Sequence, residues 1–234
     1  MSRVAIVWTH GDSLRVSDLR ETSTNLIGRA PGSAVMIDDK TVSRQQALLR
    51  PEGADFVIEN LSKTNPTKLN GRSIDAASRI VDGDIIAVGS LSMVFNDLAA
   101  SSALAGPICS HCARENMASD KDCWYCGTSL VNAATVVGQV RTAVARLASA
   151  DGSPSNAYSG QAFVLESGSV QTGQAERLAQ EAVTAIIPSA GSAVLKLQTG
   201  DQAQVNGGPA GDGQTLASGD EIVLGTDRYA LILA

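Results

Sequence analysis

Two tight-turn dipeptides, Asn70-Gly71 and Asn206-Gly207, occupy matching places in a pattern that the chain carries twice. Both residues of an Asn-Gly pair tolerate positive φ, so each pair favours a two-residue hairpin turn. Lys68-Leu69-Asn70-Gly71 is followed after 11 residues by Gly83-Asp84-Ile85-Ile86-Ala87-Val88-Gly89. Gln204-Val205-Asn206-Gly207 is followed after 11 residues by Gly219-Asp220-Glu221-Ile222-Val223-Leu224-Gly225. A closing apolar segment comes next in both: Leu91-Ser92-Met93-Val94-Phe95, and Arg228-Tyr229-Ala230-Leu231-Ile232-Leu233. Upstream, Phe56-Val57-Ile58-Glu59 answers to Ala193-Val194-Leu195-Lys196. Asn-Gly and Gly-Asp turns recur in any β protein. Equal spacing with a matching strand on each side reads as two copies of one domain.

The copies are β-rich. Residues 4–8, 47–50, 56–59 and 85–88 are short apolar or alternating segments, punctuated by clusters such as Ala30-Pro31-Gly32, Thr64-Asn65-Pro66 and Asp82-Gly83-Asp84. Many short strands with regular turn signals predict an all-β chain of two sandwiches. Residues 98–107 are small and nearly featureless and read as a linker. The expected division is a sandwich over 1–97, the linker, a cysteine segment over 108–130 and a second sandwich over 136–234.

Several classes are disfavoured. Residues 1–100 carry 11 Lys/Arg against 12 Asp/Glu, and residues 139–234 carry 5 against 9. Neither half has the basic field of a protein that holds nucleic acid through its phosphates. No apolar run approaches the roughly 20 residues of a membrane-spanning helix. The first residues lack a signal peptide's pattern, so the expected location is cytoplasmic, with no membrane partner.

Residues 22–95 resemble the forkhead-associated (FHA) family. The resemblance rests on Leu26-Ile27-Gly28-Arg29, Val42-Ser43-Arg44-Gln45-Gln46-Ala47, Asn60-Leu61-Ser62-Lys63-Thr64-Asn65-Pro66-Thr67-Lys68-Leu69-Asn70-Gly71 and the Asp82–Gly89 tail. A phosphothreonine carries close to two negative charges and three acceptor oxygens, so its reader needs cations and neutral donors. The resemblance implies that Arg29 and Ser43 contact phosphate, that Thr64 adds a bond, and that Asn65 holds the ligand main chain. It also sets Arg44 beside the phosphate or its flanks, with Gly28, Asn70 and Gly71 shaping the loops. Lys40 and Lys63 add positive field. The implied partner is a threonine-phosphorylated protein, a Ser/Thr kinase or its substrate. One position departs from the family's Ser-Arg-x-His motif: Gln46 stands where histidine is expected to brace the loops. A glutamine amide can also bridge backbone groups.

Cys109-Ser-His-Cys112 and Cys123-Trp-Tyr-Cys126 are two C-x2-C knuckles ten residues apart, holding all four cysteines. Thiolates at this spacing wrap Zn²⁺ tetrahedrally, and four of them close the coordination sphere, so the metal is expected to be structural. The segment resembles a short zinc ribbon. Disulfides and a rubredoxin-like iron site are the alternatives. His111 is expected outside the ligand set, while Trp124 and Tyr125 either stack on bases, cover the metal or dock on a neighbouring domain.

Aligned on the repeat, Gly28-Arg29 falls near Glu166-Ser167-Gly168, and Ser43-Arg44 near Glu181-Ala182. The second copy therefore lacks the first arginine and places carboxylates near both positions, which opposes phosphate. Its stretch Gln174–Thr184 has helical propensity. Together these features predict a phosphothreonine-reading adaptor without catalytic activity. The alternatives are a zinc-ribbon nucleic-acid protein and a purely structural assembly subunit.

Overall fold

Short strands with one apolar face are satisfied when two sheets pack face to face. The computed structural model describes residues 4–104, 106–131, 140–150 and 153–234. The first unit contains β1 (Val4–His10), β2 (Ser13–Asp18), β3 (Asn25–Gly28), β4 (Val35–Met36), β5 (Ala47–Glu52) and β6 (Asp55–Asn60). It continues with β7 (Lys68–Leu69), β8 (Arg72–Ser73), β9 (Ser78–Ile80), β10 (Ile85–Val88) and β11 (Leu91–Asp97). One sheet runs β2-β1-β11-β10-β7-β8 and the other β4-β3-β5-β6-β9. Between them lie Ile6, Trp8, Ile27, Leu49, Ile58, Ile86, Met93 and Phe95.

The second unit contains β12 (Ser102–Leu104), β13 (Val140–Ser149), β14 (Pro154–Tyr158), β15 (Gln161–Glu166), β16 (Ser169–Gln174) and α1 (Ala175–Leu178). It closes with β17 (Ala185–Ser189), β18 (Ser192–Lys196), β19 (Ala203–Val205), β20 (Gly208–Pro209), β21 (Gln214–Leu216), β22 (Glu221–Leu224) and β23 (Asp227–Leu233). Its sheets run β12-β13-β23-β22-β19-β20, with β14 also on β13, and β16-β15-β17-β18-β21. The order β1-β11-β10-β7-β8 thus recurs as β13-β23-β22-β19-β20, and β3-β5-β6-β9 as β15-β17-β18-β21.

The repeat extends to single hydrogen bonds. Asn70 (φ 50°) donates from Nδ2 to Asp84 Oδ1 at 2.8 Å and accepts Ile85 N at 3.0 Å. Asn206 (φ 52°) donates to Asp220 Oδ1 at 2.8 Å and accepts Glu221 N at 2.9 Å. In each copy an asparagine in the left-handed region ties its hairpin turn to the Gly-Asp turn of the neighbouring strand.

Two expectations change. Residues 98–107 are not a featureless linker: Leu98–Ala100 forms a 3-10 turn capped by Asp97, and β12 pairs with β13. Residue 105 and residues 132–139, which include the expected start of the second copy at 136, lie outside the described residues. The helical propensity of Gln174–Thr184 yields one turn only. Lys196 Nζ binds the carbonyls of Leu178, Ala179 and Glu181 and so ends the helix at its first opportunity.

The copies pack on each other. β1 is buried on both faces from Val4 to Trp8, and β23 from Tyr229 to Leu233. Their outward residues Ala5, Val7, Ala230 and Ile232 join Leu14, Leu98, Ala143 and Ala148 in a cluster between the sandwiches. Arg146, only 1% exposed, crosses this seam. It binds Asp82 Oδ1 (2.6 Å) and Oδ2 (2.9 Å), Asn96 Oδ1 (2.9 Å), Ser101 Oγ (2.6 Å) and Asn156 Oδ1 (2.8 Å). Nearby, Glu221 Oε1 accepts Leu14 N at 2.8 Å and Ser218 Oγ donates to Asp18 at 3.3 Å. Removing Arg146 would strip Asp82, Asn96, Ser101 and Asn156 of a shared partner and leave the half-buried Asp82 carboxylate uncompensated. Arg146→Ala is expected to destabilise the chain by about 3–5 kcal/mol, measured by denaturant unfolding. An unchanged midpoint would contradict this account of the seam.

Candidate functional site

At one end of the first sandwich, the segments after β3, before β5 and after β6 converge. Gly28 makes their approach close, because a Cβ there would overlap the Arg44 carbonyl oxygen. With that oxygen in place, Ala30 N donates to Arg44 O and Arg29 N to Ser43 O, both at 3.0 Å. Arg29 is thereby carried beside Ser43 on the rim. Its Nε donates to Val42 O at 3.3 Å, and its side chain is exposed.

The loops are braced from beneath by Gln46, which is fully buried. Its Oε1 accepts Ser43 N at 3.0 Å, while its Nε2 donates to Asn65 O at 2.7 Å and Thr67 Oγ1 at 3.1 Å. One amide therefore fixes the two loops that carry Ser43 and Asn65. A glutamine does this because it offers an acceptor and two donors on one planar group.

Of the five residues expected to hold a phosphopeptide, all lie on these segments. Ser43 Oγ is 2.8 Å from Ser62 Oγ. Asn65 Nδ2 donates to Thr41 O at 2.9 Å, which orients the amide and leaves Oδ1 as a further acceptor. Thr64 and Arg44 are exposed. Among the described residues, none of Arg29, Lys40, Arg44 and Lys63 pairs with a carboxylate. Asn70 and Gly71 lie in the β7–β8 turn, where Asn70 is bound to Asp84 and Ile85.

Sequence reasoning did not single out Ser62, Asn60 or Thr67, although it quoted the block containing them. Ser62 Oγ accepts Asn65 N at 3.2 Å, and Asn60 Oδ1 accepts Thr67 N at 3.0 Å. Their signal was a run of short polar side chains able to bond nearby backbone. Asp39, Thr41 and Ser90 were also missed. Asp39 Oδ1 accepts Thr41 N at 2.7 Å, and Asp39 Oδ2 accepts Ser90 Oγ at 3.2 Å. These bonds from Thr41, above all from its hydroxyl, hold the Asp39 carboxyl below its ordinary range.

The corresponding end of the second sandwich differs. The pairings Leu49↔Ile58 and Ile186↔Leu195 set Leu49 and Ile186 at one position, which matches Arg29 to Ser167 and Arg44 to Glu181. Every arginine of this copy is ion-paired: Arg141 with Glu115, Arg146 with Asp82, Arg177 with Glu181 and Arg228 with Glu221.

The four cysteine Sγ atoms lie within 4.8 Å of one another, with Cys109–Cys126 and Cys112–Cys123 each at 3.6 Å. A tetrahedral centre with sulfur arms of about 2.3 Å has edges of about 3.8 Å. Two matching knuckles present these sulfurs: Ala113 N donates to Cys109 O and Gly127 N to Cys123 O, both at 2.9 Å. Ala113 (φ 58°) and Gly127 (φ 70°) supply the left-handed corner. The cluster can hold a metal ion, and His111 stands outside it. The aromatic pair is already engaged. Trp124 Nε1 donates to Glu115 O at 2.9 Å, and Arg114 lies 3.6 Å from the Tyr125 ring centroid while pairing with Glu176 of the second sandwich at 3.0 Å. The ribbon-like segment is thus docked on the second copy.

The family model of the FHA domain matches residues 25–89. The chain is 35% identical over 77 residues to the glycogen accumulation regulator GarA of Mycolicibacterium smegmatis, a match covering 33% of this chain and 48% of that protein. It is 34% identical over 77 residues to the oxoglutarate dehydrogenase inhibitor of Corynebacterium jeikeium, covering 33% and 53%. The chain therefore spans about half the length of these curated relatives. Among solved structures, the FHA domain of FhaA, complexed with the intracellular domain of Rv3910, is 29% identical with a TM-score of 0.37, covering 40% of this chain and 99% of that one. The N-terminal FHA domain of Rad53p from S. cerevisiae, in complex with a phosphothreonine peptide, is 22% identical with a TM-score of 0.36, covering 40% and 92%.

Gln46→Ala would strip Ser43 N, Asn65 O and Thr67 Oγ1 of a shared partner. The expected cost is about 1–3 kcal/mol of stability, read from the unfolding midpoint, with exchange broadening of the amide signals of residues 41–46 and 61–67 in NMR spectra. An unaltered midpoint and unaltered loop signals would rule out the bracing role.

Proposed function

We propose, from the FHA domain that residues 25–89 form, that this protein is an adaptor that binds a threonine-phosphorylated partner through its N-terminal sandwich. The observation that carries the reading is the contrast in arginine use. Arg29 and Arg44 stand exposed and without a carboxylate beside the Ser43 and Thr64 hydroxyls, while the second sandwich spends every arginine on an ion pair. Unpaired guanidinium groups flanked by hydroxyl donors suit a doubly charged tetrahedral anion. Arg29 forks onto phosphate oxygens, Ser43 and Thr64 donate hydroxyl hydrogens, and Arg44 adds field or flanking contacts. Asn65 uses its remaining acceptor on the ligand main chain. Binding is monovalent and involves no turnover, and the partner is a Ser/Thr kinase or one of its substrates.

The Cys109, Cys112, Cys123 and Cys126 cluster is assigned a structural Zn²⁺. Four thiolates leave no open coordination position, so the metal supplies folding energy to a segment too short for a core of its own. The docked ribbon and the second sandwich then hold the reading domain in a fixed setting. The Arg114 guanidinium over one Tyr125 face and the bond from Trp124 Nε1 to Glu115 O speak against base stacking.

Two measurements test these assignments. In a fluorescence-anisotropy titration, phosphothreonine peptides are expected to bind the full chain far more tightly than phosphoserine or unphosphorylated ones. Arg29→Ala is expected to cost about 2–4 kcal/mol, and equal affinity for all three peptide forms would refute the function. Metal analysis is expected to find one zinc per chain, with Cys112→Ser losing the metal and lowering the unfolding midpoint. Full occupancy in that variant would refute the zinc site.

A further inference from the structure

The segment from Asp39 to Ser43 presents a row of backbone carbonyls to Asn65 and Arg29, the two residues assigned above to the ligand main chain and to the phosphate. Thr41 O accepts Asn65 Nδ2 at 2.9 Å, Val42 O accepts Arg29 Nε at 3.3 Å, and Ser43 O accepts Arg29 N at 3.0 Å. The orientation of both Asn65 and Arg29 therefore depends on how this one segment is held.

Asp39 holds it. Its Oδ1 accepts Thr41 N at 2.7 Å and the Thr41 hydroxyl at 2.5 Å, and its own carbonyl accepts Val42 N at 3.1 Å. Its Oδ2 accepts the Ser90 hydroxyl at 3.2 Å, while Ser90 N donates to Thr41 Oγ1 at 3.0 Å. The segment is thereby stapled to the β10–β11 turn. That turn passes so close that a Cβ at Gly89 (φ +57°) would overlap Thr41 Oγ1. Gly89 and Ser90 follow directly on β10, whose Ile85 is bound by Asn70.

We propose that Asp39 is a positioning residue for phosphopeptide binding: through Thr41, Val42 and Ser90 it sets Asn65 and Arg29 at the angle the ligand requires, without touching the ligand. The inference rests on the phosphothreonine reading above. A carboxylate suits the task because it accepts from the Thr41 amide, the Thr41 hydroxyl and the Ser90 hydroxyl at once. Hydrogen bonds from Thr41 also keep it ionised, so the staple holds across neutral pH and is lost only as pH falls through the lowered Asp39 value.

The test uses the full chain and a phosphothreonine peptide selected against the wild type. Asp39→Ala is expected to weaken binding about 10-fold or more, while Asp39→Asn, which keeps one acceptor for Thr41, regains most of the affinity. In an Asn65→Ala background the same Asp39→Ala change is expected to cost much less, because part of what it positions is gone. In the unliganded protein, the Asn65 side-chain amide signals in NMR spectra should shift on Asp39→Ala, a readout that general destabilisation does not produce. Three outcomes overturn the proposal: Asp39→Ala binding like wild type, an undiminished loss in the Asn65→Ala background, or unmoved Asn65 signals. A wild-type chain that ignores phosphorylation overturns the parent reading and this one together, whereas normal wild-type binding with a silent Asp39→Ala removes only this one.

Discussion

A guanidinium taken out of water must find a partner for every N–H, and Arg146 does so across the seam between the two sandwiches. Asp82 and Asn96 come from the first copy, Asn156 from the second, and Ser101 from the segment joining them. The apolar cluster of Ala5, Val7, Ala230 and Ile232 lies in the same seam, with Ile232 paired to Arg146 across β13 and β23. The ribbon-like segment is held to the same body by Glu115–Arg141 and Arg114–Glu176. The described residues accordingly form one packed unit, with the first sandwich at a set distance and angle from the other modules.

The lock also marks where the two copies stopped being alike. The pairings Ala5↔Asn96 and Arg146↔Ile232 put Arg146 where the first copy has Ala5. Asp82 stands where the second copy has Ser218: each accepts a backbone N–H from the last strand, Asp97 N at 2.8 Å and Leu233 N at 3.2 Å. A near-symmetric seam became a charged, one-sided one. At the loop ends the divergence runs the other way. The first copy leaves Arg29 and Arg44 without a carboxylate partner, and the second pairs Arg177 with Glu181 while Lys196 closes α1. What stayed the same is the Asn-Gly staple to Asp84 or Asp220, because the hairpin needs it whatever the loops bind.

Much of this was legible in the chain. The repeat was visible because turn chemistry is local: Asn-Gly and Gly-Asp pairs carry their conformations with them. The cysteine cluster was visible because two knuckles at short spacing leave few other geometries. The residues around Arg29 stood out only as a set matching a family. Of their bracing partners, Gln46 alone was marked, as an amide able to bridge backbone groups. Gln46 was noticed as a departure from that family, but its reach to Asn65 and Thr67 depends on two loops meeting. Ser90 carried no signal at all, since its bonds to Asp39 and Thr41 join segments about fifty residues apart.

The linker shows the limit most plainly. Residues 98–107 are small and low in pattern, and composition makes such a stretch a spacer. Yet Leu98 is fully buried and β12 pairs with β13, because the neighbouring sandwich offers an open strand and an apolar surface. The continuous apolar runs of β1 and β23 were readable as strands, but not as strands buried on both faces. Sequence alone determined the two sandwiches and the knuckles, since each follows from local conformational preference or from residue chemistry, and it marked Arg29, Ser43, Arg44, Thr64 and Asn65 by family resemblance. Tertiary structure alone decided that the modules form one body, that Arg146 is spent on the seam while Arg29 meets no carboxylate, and that Asp39 bonds both Thr41 and Ser90. The physical reason is the same each time: a charged group's role is set by which partners come within hydrogen-bond distance, and those partners come from remote parts of the chain.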